Sequence, residues 1–284
     1  MRIDALLAEA TARLTAAGVI DAALDARLLL QHVTGLSRSQ MVLRADQPAD
    51  EAISARYRGL IARRCQRIPL QHLTGCQEFW SLDFAVSPAV LIPRPETEFL
   101  LEQVLVECQE TRIARALDLC TGSGVIAVVL ARELKCTVVA ADLSEAALRI
   151  AWANSARHMT TDLVAPVCCD LFAALNWRRP FDLIVSNPPY VAEEEIDRLE
   201  PEVGRAEPRL ALSGGPGGMR CIERIAWEAR RHLCPGGWIF LEIGADQGEK
   251  ATRLFRSTVP GYGRVRVIDD LAGRPRVLRA RHEP

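Results

Sequence analysis

The sequence predicts an α/β fold, a mostly parallel sheet with helices on both faces, preceded by a separate helical segment. Three observations carry this expectation. From about residue 114 onward, short apolar runs alternate with stretches of helical period, as in repeated β-α units. Residues 1 to about 75 show helical spacing alone. Between these two textures lies "FWSLDFAVSPAVLIPRPETE", whose alternation suggests a hairpin and whose prolines punctuate it. The expected divisions are 1–75 (helical), 76–95 (hairpin linker) and 96–284 (the β-α domain), within a length suited to one large and one small unit.

In chain order, Ile3, Leu6, Leu7, Ala10 and Leu14 recur at helical spacing, followed by Leu24, Leu28, Leu29 and Val33. A third helix, "DEAISARYRGLIARRCQR", ends before Pro69. Its arginines, Arg56, Arg58, Arg63, Arg64 and Arg67, form either a solvated face or a docking surface for an acidic or RNA-like partner. After the hairpin, "ETEFLLEQVLVECQ" returns to helical spacing, with Glu96 and Glu98 in the first turn, where the helix dipole favours acids. The expected strands are "RALDLC", "TVVAADL", "LVAPVCCDLF", "FDLIVSNPP" and "GWIFLEIG". A final hairpin joins "GRVRVIDD" to "RPRVLRARH" around "LAGR".

Composition removes several function classes. The apolar fraction is 49% and the charged fraction 25%, ordinary for a soluble globular protein. A net charge of −1 gives no global field toward nucleic acid or membrane. The N-terminal "MRIDALLAEATARL" carries Asp4 and Glu9 among its apolar residues, unlike a signal peptide, and "GVIAVVLA" is too short to span a bilayer. Nine scattered cysteines without C-x-x-C fit small buried residues in a reducing compartment, and the isolated histidines argue against zinc. A cytoplasmic protein with no metal site and no membrane partner is expected.

In a doubly wound sheet, ligands bind beyond the carboxyl ends of the strands. Three such ends are unusual. "LDLCTGSGVIAV" runs from a strand through a small-residue turn into a helix, where Gly122 and Gly124 permit close backbone approach and helix-start N–H groups face a ligand. It is neither G-x-G-x-x-G nor a P-loop, which disfavours a phosphate cradle. In "VVAADLS", Asp142 could accept both hydroxyls of a ribose or cap the helix that follows. Asp170 in "CCDLF" could meet an adenine amino group, with Leu171 or Phe172 against the ring. The third end is "SNPPY": two prolines stop a strand in a stiff elbow rich in acceptors and poor in donors.

These residues also carry a resemblance. "DLCTGSG" with "AADLS" resembles the first two motifs of class I S-adenosylmethionine-dependent methyltransferases, and "NPPY" resembles those that methylate a planar amide or exocyclic amino nitrogen. With "PLQHLTG", "EFW", "LIPRPETE", "EPRLALSGG" and "LEIG" in order, nearly the whole chain is similar to the HemK/PrmC family. The resemblance implies a Rossmann-like, seven-stranded sheet behind a small helical domain that docks the substrate. It implies S-adenosyl-L-methionine as cofactor, S-adenosyl-L-homocysteine as product, and methylation of the glutamine in the Gly-Gly-Gln loop of class 1 peptide chain release factors. No direct nucleic-acid contact is then expected.

Carried onto this chain, the motifs make Asn187, Pro188, Pro189 and Tyr190 catalytic. The Asn187 side-chain oxygen and Pro188 carbonyl would hold the two N–H groups of the amide, and the Tyr190 ring would pack on it. The cofactor set is Cys120, Thr121, Gly122, Ser123, Gly124, Asp142, Leu143, Asp170, Leu171 and Asn187. Arg94 could reach cofactor or substrate, and Glu207 could brace the substrate loop or pack a turn. The chain departs from the family at Cys120 and Ser81, where glycine is usual, and at Leu171, often aromatic. Two other classes compete: an amino-methylating DNA or RNA methyltransferase, which needs a basic groove and a base-extruding region, and a non-catalytic cofactor-binding or ribosome-associated module.

Overall fold

Residues 1–283 are described by the computed structural model, and they divide into two units. The first holds Met1–Cys76 together with a returning segment, Glu200–Ala206; the second holds the remainder. Among the described residues, no helix is long and apolar enough to cross a membrane, and no group of three or more His, Cys, Asp or Glu could hold a metal ion.

The first unit contains α1 (Ile3–Ala16), α2 (Ala22–Thr34), α3 (Arg38–Leu43), α4 (Glu51–Cys65) and α5 (Leu70–Thr74). The buried stripe of α1, Ile3, Leu6, Ala10 and Leu14, follows the helical period. The short α3 and α5 were not expected. Ser37 starts α3 with a capping box, its side chain accepting from the Gln40 N–H while the Gln40 side chain accepts from Ser37. Asp50 caps α4.

The buried face of α2 is not the one its leucines suggest. Ala22, Asp25, Ala26, Leu29 and Leu30 are buried, whereas Leu24 is exposed. The cause is an ion pair: Arg64 Nε donates to Asp25 Oδ2 at 2.7 Å, so an acid belongs to the buried face. Arg64 and Arg67 also grip Glu202 of the returning segment, at 2.8 Å from Arg64 and at 2.5 and 2.6 Å from Arg67. Both arginines are therefore committed to acids of this unit, and Arg64 is buried, which corrects the solvated-face reading at Arg64 and the free-docking reading at both positions.

From Gln77 onward the second unit begins, and β1 (Cys76–Phe79) and β2 (Leu82–Ala85) form a hairpin at its start. Trp80 and Ser81 between them lie at φ 56° and 55°, the left-handed pair of a two-residue hairpin turn. That conformation explains why glycine would be at ease at Ser81. There follow α6 (Pro95–Cys108), β3 (Arg115–Leu119), α7 (Val125–Leu134), β4 (Thr137–Asp142), α8 (Glu145–Arg157), β5 (Val164–Cys168), β6 (Phe181–Ser186), β7 (Leu233–Glu242), β8 (Tyr262–Asp269) and β9 (Pro275–His282). The last seven strands form one sheet in the order β5-β4-β3-β6-β7-β9-β8, parallel from β5 to β7, with β9 antiparallel to both of its neighbours, β7 and β8. The strand expected over "LVAPVCCDLF" stops at Cys168, and the chain leaves the sheet through Leu171 at φ 50°.

Strand β3 is buried from Ala116 to Leu119, as expected for a central strand covered on both faces. Helix α7 is buried from Val125 to Ala131, so it reads as apolar all round and packs into the core on one face of the sheet. The second face is covered by Ile222, Ile225, Ala226 and Ala229 of the helix Arg220–Ala229.

Candidate active site

The switch point of the sheet lies between β3 and β6. The chain runs outward from β3 through β4 to β5, then crosses back to start β6 on the other side of β3. This leaves a crevice beyond the carboxyl ends of the strands. Register decides what meets there. Leu119 pairs with Ala141 and with Ser186, and Ser186 pairs with Leu241. The next residue on each strand, Cys120, Asp142, Asn187 and Glu242, therefore belongs to one row across the sheet. Ser186 Oγ donates to the Leu119 carbonyl at 2.7 Å and ties the two switch strands together one residue before that row.

A cavity opens on the row. It is lined by all the catalytic and cofactor residues carried over from the motifs except Gly124, Pro188 and Tyr190, while Phe172, Arg94 and Glu207 stand outside its lining. The stretch after the hairpin adds Ala89, Val90, Leu91 and Pro93 to its wall. Cys120 has φ 57° and Leu171 φ 50°, so both turns place an L-residue in the left-handed region. That is the physical reason glycine suits position 120.

The turn after β3 is braced from below by Asp118, which the sequence reading left within a strand. Asp118 Oδ2 accepts from Thr121 Oγ1 at 2.5 Å and from the Ala127 N–H at 3.0 Å. Burial pushes its carboxyl up to about 7, against those two hydrogen bonds. Above the turn, Asp142 Oδ2 accepts from the Gly122 N–H at 2.9 Å and Oδ1 from the Ser144 N–H at 2.8 Å. Helix α8 is capped by Ser144, whose side chain accepts from Ala147, so capping is not the task of Asp142. Burial raises the Asp142 carboxyl above its usual value, opposed by the backbone N–H groups.

The two glycines differ in what they permit. A Cβ at Gly122 would meet nothing closer than 4.0 Å, which leaves the backbone open to the cavity. Gly124 has φ 82°, and a Cβ there would lie 2.9 Å from Ala151 Cβ of α8. It serves helix packing, and the expected close approach to a ligand at that position is corrected accordingly. Gly124→Ala is expected to lower stability by roughly 1–3 kcal/mol, from left-handed strain plus overpacking. Urea unfolding checks this; an unchanged midpoint would contradict the packing role. The N–H groups of Ser123, Val125 and Ile126 make no hydrogen bond among the described residues, so the start of α7 offers donors to an anionic group such as an amino-acid carboxylate.

Asp170 lines the cavity, but Arg224 holds its carboxylate at 2.8 and 3.1 Å. Arg94 does not reach for a ligand alone: its Nη2 donates to Glu207 Oε2 at 2.6 Å, and Glu207 Oε1 accepts from the Ile92 N–H at 2.9 Å. The Glu207 side chain is 0% exposed, so this pair braces the cavity wall around Leu91 and Pro93.

At the elbow, Asn187 Nδ2 donates to Thr97 Oγ1 at 3.0 Å. Thr97 Oγ1 donates to Glu242 Oε2 at 2.7 Å, and Tyr190 Oη donates to Glu242 Oε1 at 3.0 Å. Gln247 Nε2 donates to the Tyr190 carbonyl at 2.8 Å. Burial raises the Glu242 carboxyl above its ordinary value, with the two hydroxyls opposing. Asn187 Oδ1 and the Pro188 carbonyl accept no hydrogen bond among the described residues. Sequence reasoning missed Thr97, Glu242 and Gln247; an acid closing the apolar run "WIFLE" was the available signal.

The residues present fit S-adenosyl-L-methionine. An open glycine backbone, free N–H groups at a helix start, a strand-end carboxylate and an apolar wall from the post-hairpin stretch share one cavity.

Comparison with known proteins agrees with this geometry. Residues 5–75 match the model of the PrmC N-terminal domain, and residues 96–259 match that of the methyltransferase small domain. A release factor glutamine methyltransferase from Cereibacter sphaeroides is 42% identical over 99% of both chains. One from Koribacter versatilis is 43% identical over 90% of this chain and 89% of its own, and one from Salmonella typhimurium 40% over 92% of each. Among solved structures, a methyltransferase from Pyrococcus furiosus superposes with a TM-score of 0.53 at 20% identity, covering 72% of this chain and 90% of its own, which shows the fold. The chain belongs to the release factor glutamine methyltransferase family.

Proposed function

We propose that this protein methylates the side-chain amide nitrogen of the glutamine in the Gly-Gly-Gln loop of class 1 release factors, and that Asn187 and Pro188 orient that amide. The observation that carries the reading is a pair of acceptors without a hydrogen bond among the described residues, Asn187 Oδ1 on a residue that lines the cavity and the carbonyl of its neighbour Pro188. A carboxamide nitrogen is a weak nucleophile because its lone pair is delocalised into the carbonyl. It has two N–H donors, so a site that turns its lone pair in a chosen direction must offer two acceptors. Bound S-adenosyl-L-methionine supplies a methyl group on a sulfonium, a good leaving group.

Orientation of this kind can supply up to about 7–11 kcal/mol of a barrier when the geometry is near attack. Pro188 and Pro189 stiffen the elbow and add no competing N–H donors. The proton displaced by methylation leaves to solvent, so no strong base is required.

Ser123, Val125 and Ile126 would hold the cofactor's carboxylate, Asp142 its ribose, and Leu171 its base. Asp142 suits the ribose because each of its oxygens, already accepting one N–H, keeps a further lone pair for a hydroxyl. The helical unit of residues 1–75 would select the release factor, since a Gly-Gly-Gln loop offers little area and remote contacts can raise turnover as well as affinity. Arg56 and Arg63 remain candidates for that contact. The near-zero net charge speaks against a nucleic-acid grip, and the reaction belongs in the cytoplasm, where translation ends.

Tyr190 places its ring against the core of the second unit and its hydroxyl on Glu242. Tyr190→Phe is expected to keep most of the turnover, because the lost hydroxyl meets Glu242 and not the substrate amide, and Tyr190→Ala to lose well over tenfold. Equal losses in steady-state kinetics would make the hydroxyl the working group and contradict a ring packed on the amide.

The function is tested by offering tritiated S-adenosylmethionine with intact release factor, with its Gly-Gly-Gln glutamine changed to alanine, and with nucleic acid. Label is expected on the first alone. Label on the alanine form or on nucleic acid would overturn the substrate assignment.

A further inference from the structure

An amide side chain has an acceptor end and a donor end, exchanged by a half-turn about its last bond. A site that must show only the acceptor to a substrate NH2 group needs something to forbid that half-turn. We propose that Thr97 and Glu242 do so: they are positioning residues that hold the Asn187 carboxamide with Oδ1 toward the substrate. The inference rests on the acceptor role given to Asn187 above.

The bonds have one consistent direction. Glu242 Oε2 lies 2.7 Å from Thr97 Oγ1, and Oε1 lies 3.0 Å from Tyr190 Oη. A carboxylate has no hydrogen to give, so the Thr97 hydroxyl commits its single proton to Oε2. Toward Asn187, 3.0 Å away, the Thr97 oxygen can then only accept. The end of the amide that faces it must be Nδ2, which turns Oδ1 the other way. The direction survives protonation of the carboxyl on the Tyr190 side, because Oε2 still accepts.

The surroundings protect the relay. Thr97 is 3% exposed and Glu242 1%, so bulk water does not compete for these bonds. A buried carboxylate is costly to retain. Its strand neighbours from Trp238 to Leu241 are all apolar and buried, so packing alone would be met by another apolar residue. Register explains the encounter: Ser186 pairs with Leu241, so Glu242 stands beside Asn187, while Thr97 arrives from the first turns of α6.

The test is single-turnover methylation of intact release factor, with cofactor affinity by calorimetry, for Thr97→Val, Thr97→Ser, Asn187→Ala and the Thr97→Val/Asn187→Ala pair. Thr97→Val is expected to slow the step about tenfold with cofactor affinity within about twofold of wild type, and Thr97→Ser to stay within about threefold. The double variant should be no slower than Asn187→Ala alone, because the lock acts only through Asn187. Thr97→Ala removes the same hydroxyl and serves if valine does not fold. The lock is overturned if Thr97→Val runs at the wild-type rate while Asn187→Ala is slow. It is equally overturned if Thr97→Val slows the Asn187→Ala background by its own full factor, the mark of a packing residue. A fast Asn187→Ala would instead sink the acceptor role itself, and the lock with it.

Discussion

Asn187→Ala is expected to slow methyl transfer by on the order of 10²–10³-fold, the scale seen when one preorganised hydrogen-bonding group is removed from a reacting centre. The loss should fall on the chemical step. Asn187 follows β6 with Nδ2 tied to Thr97, and in the proposed arrangement its Oδ1 would be one of two acceptors for the substrate amide. Without it, the amide keeps one partner at Pro188 and can rotate about that bond, so its lone pair is no longer aimed. Cofactor affinity should change little, because the helix-start donors and Asp142 are untouched. A single-turnover experiment separates the two effects; a near-wild-type rate would remove Asn187 from the orienting pair.

Asp142→Ala is expected to do the converse. Hydrogen bonds to a charged partner contribute about 1.5–3 kcal/mol, so losing the carboxylate should weaken cofactor binding roughly ten- to a hundredfold. Two causes combine. In the proposed binding mode the ribose hydroxyls would lose their acceptor, and the Gly122 N–H loses its bond to the carboxylate. Asp142→Asn keeps one oxygen and should fall between. Calorimetry on folded variants decides, and unchanged affinity would take Asp142 out of the site.

Much of this site could be seen in the chain before folding, because its parts are local. A strand, a small-residue turn and a helix follow one another within "LDLCTGSGVIAV", and period and residue size announce them. The proline elbow is as local, since its stiffness is a property of adjacent residues. What escaped were partners joined only by register. Thr97 and Glu242 are 145 residues apart, and Asn187 and Thr97 are 90 apart, so no window of sequence holds their bonds.

Buried charge hid features in the same way. Asp25 belongs to the inner face of α2 because Arg64 reaches it from 39 residues away, which defeats a reading by hydrophobic period. Asp118 sits inside a strand with nothing in its neighbours to mark it as the brace of a turn. Glycine positions were legible as turns, but not in purpose: only the 2.9 Å approach of Ala151 shows that Gly124 serves α8.

The most direct measurement of the orienting role is a crystal structure of the protein with S-adenosyl-L-homocysteine and a Gly-Gly-Gln peptide. The glutamine amide nitrogen is expected about 3 Å from both Asn187 Oδ1 and the Pro188 carbonyl. A glutamine whose amide oxygen faces Asn187, or whose nitrogen is held by other groups, would contradict it.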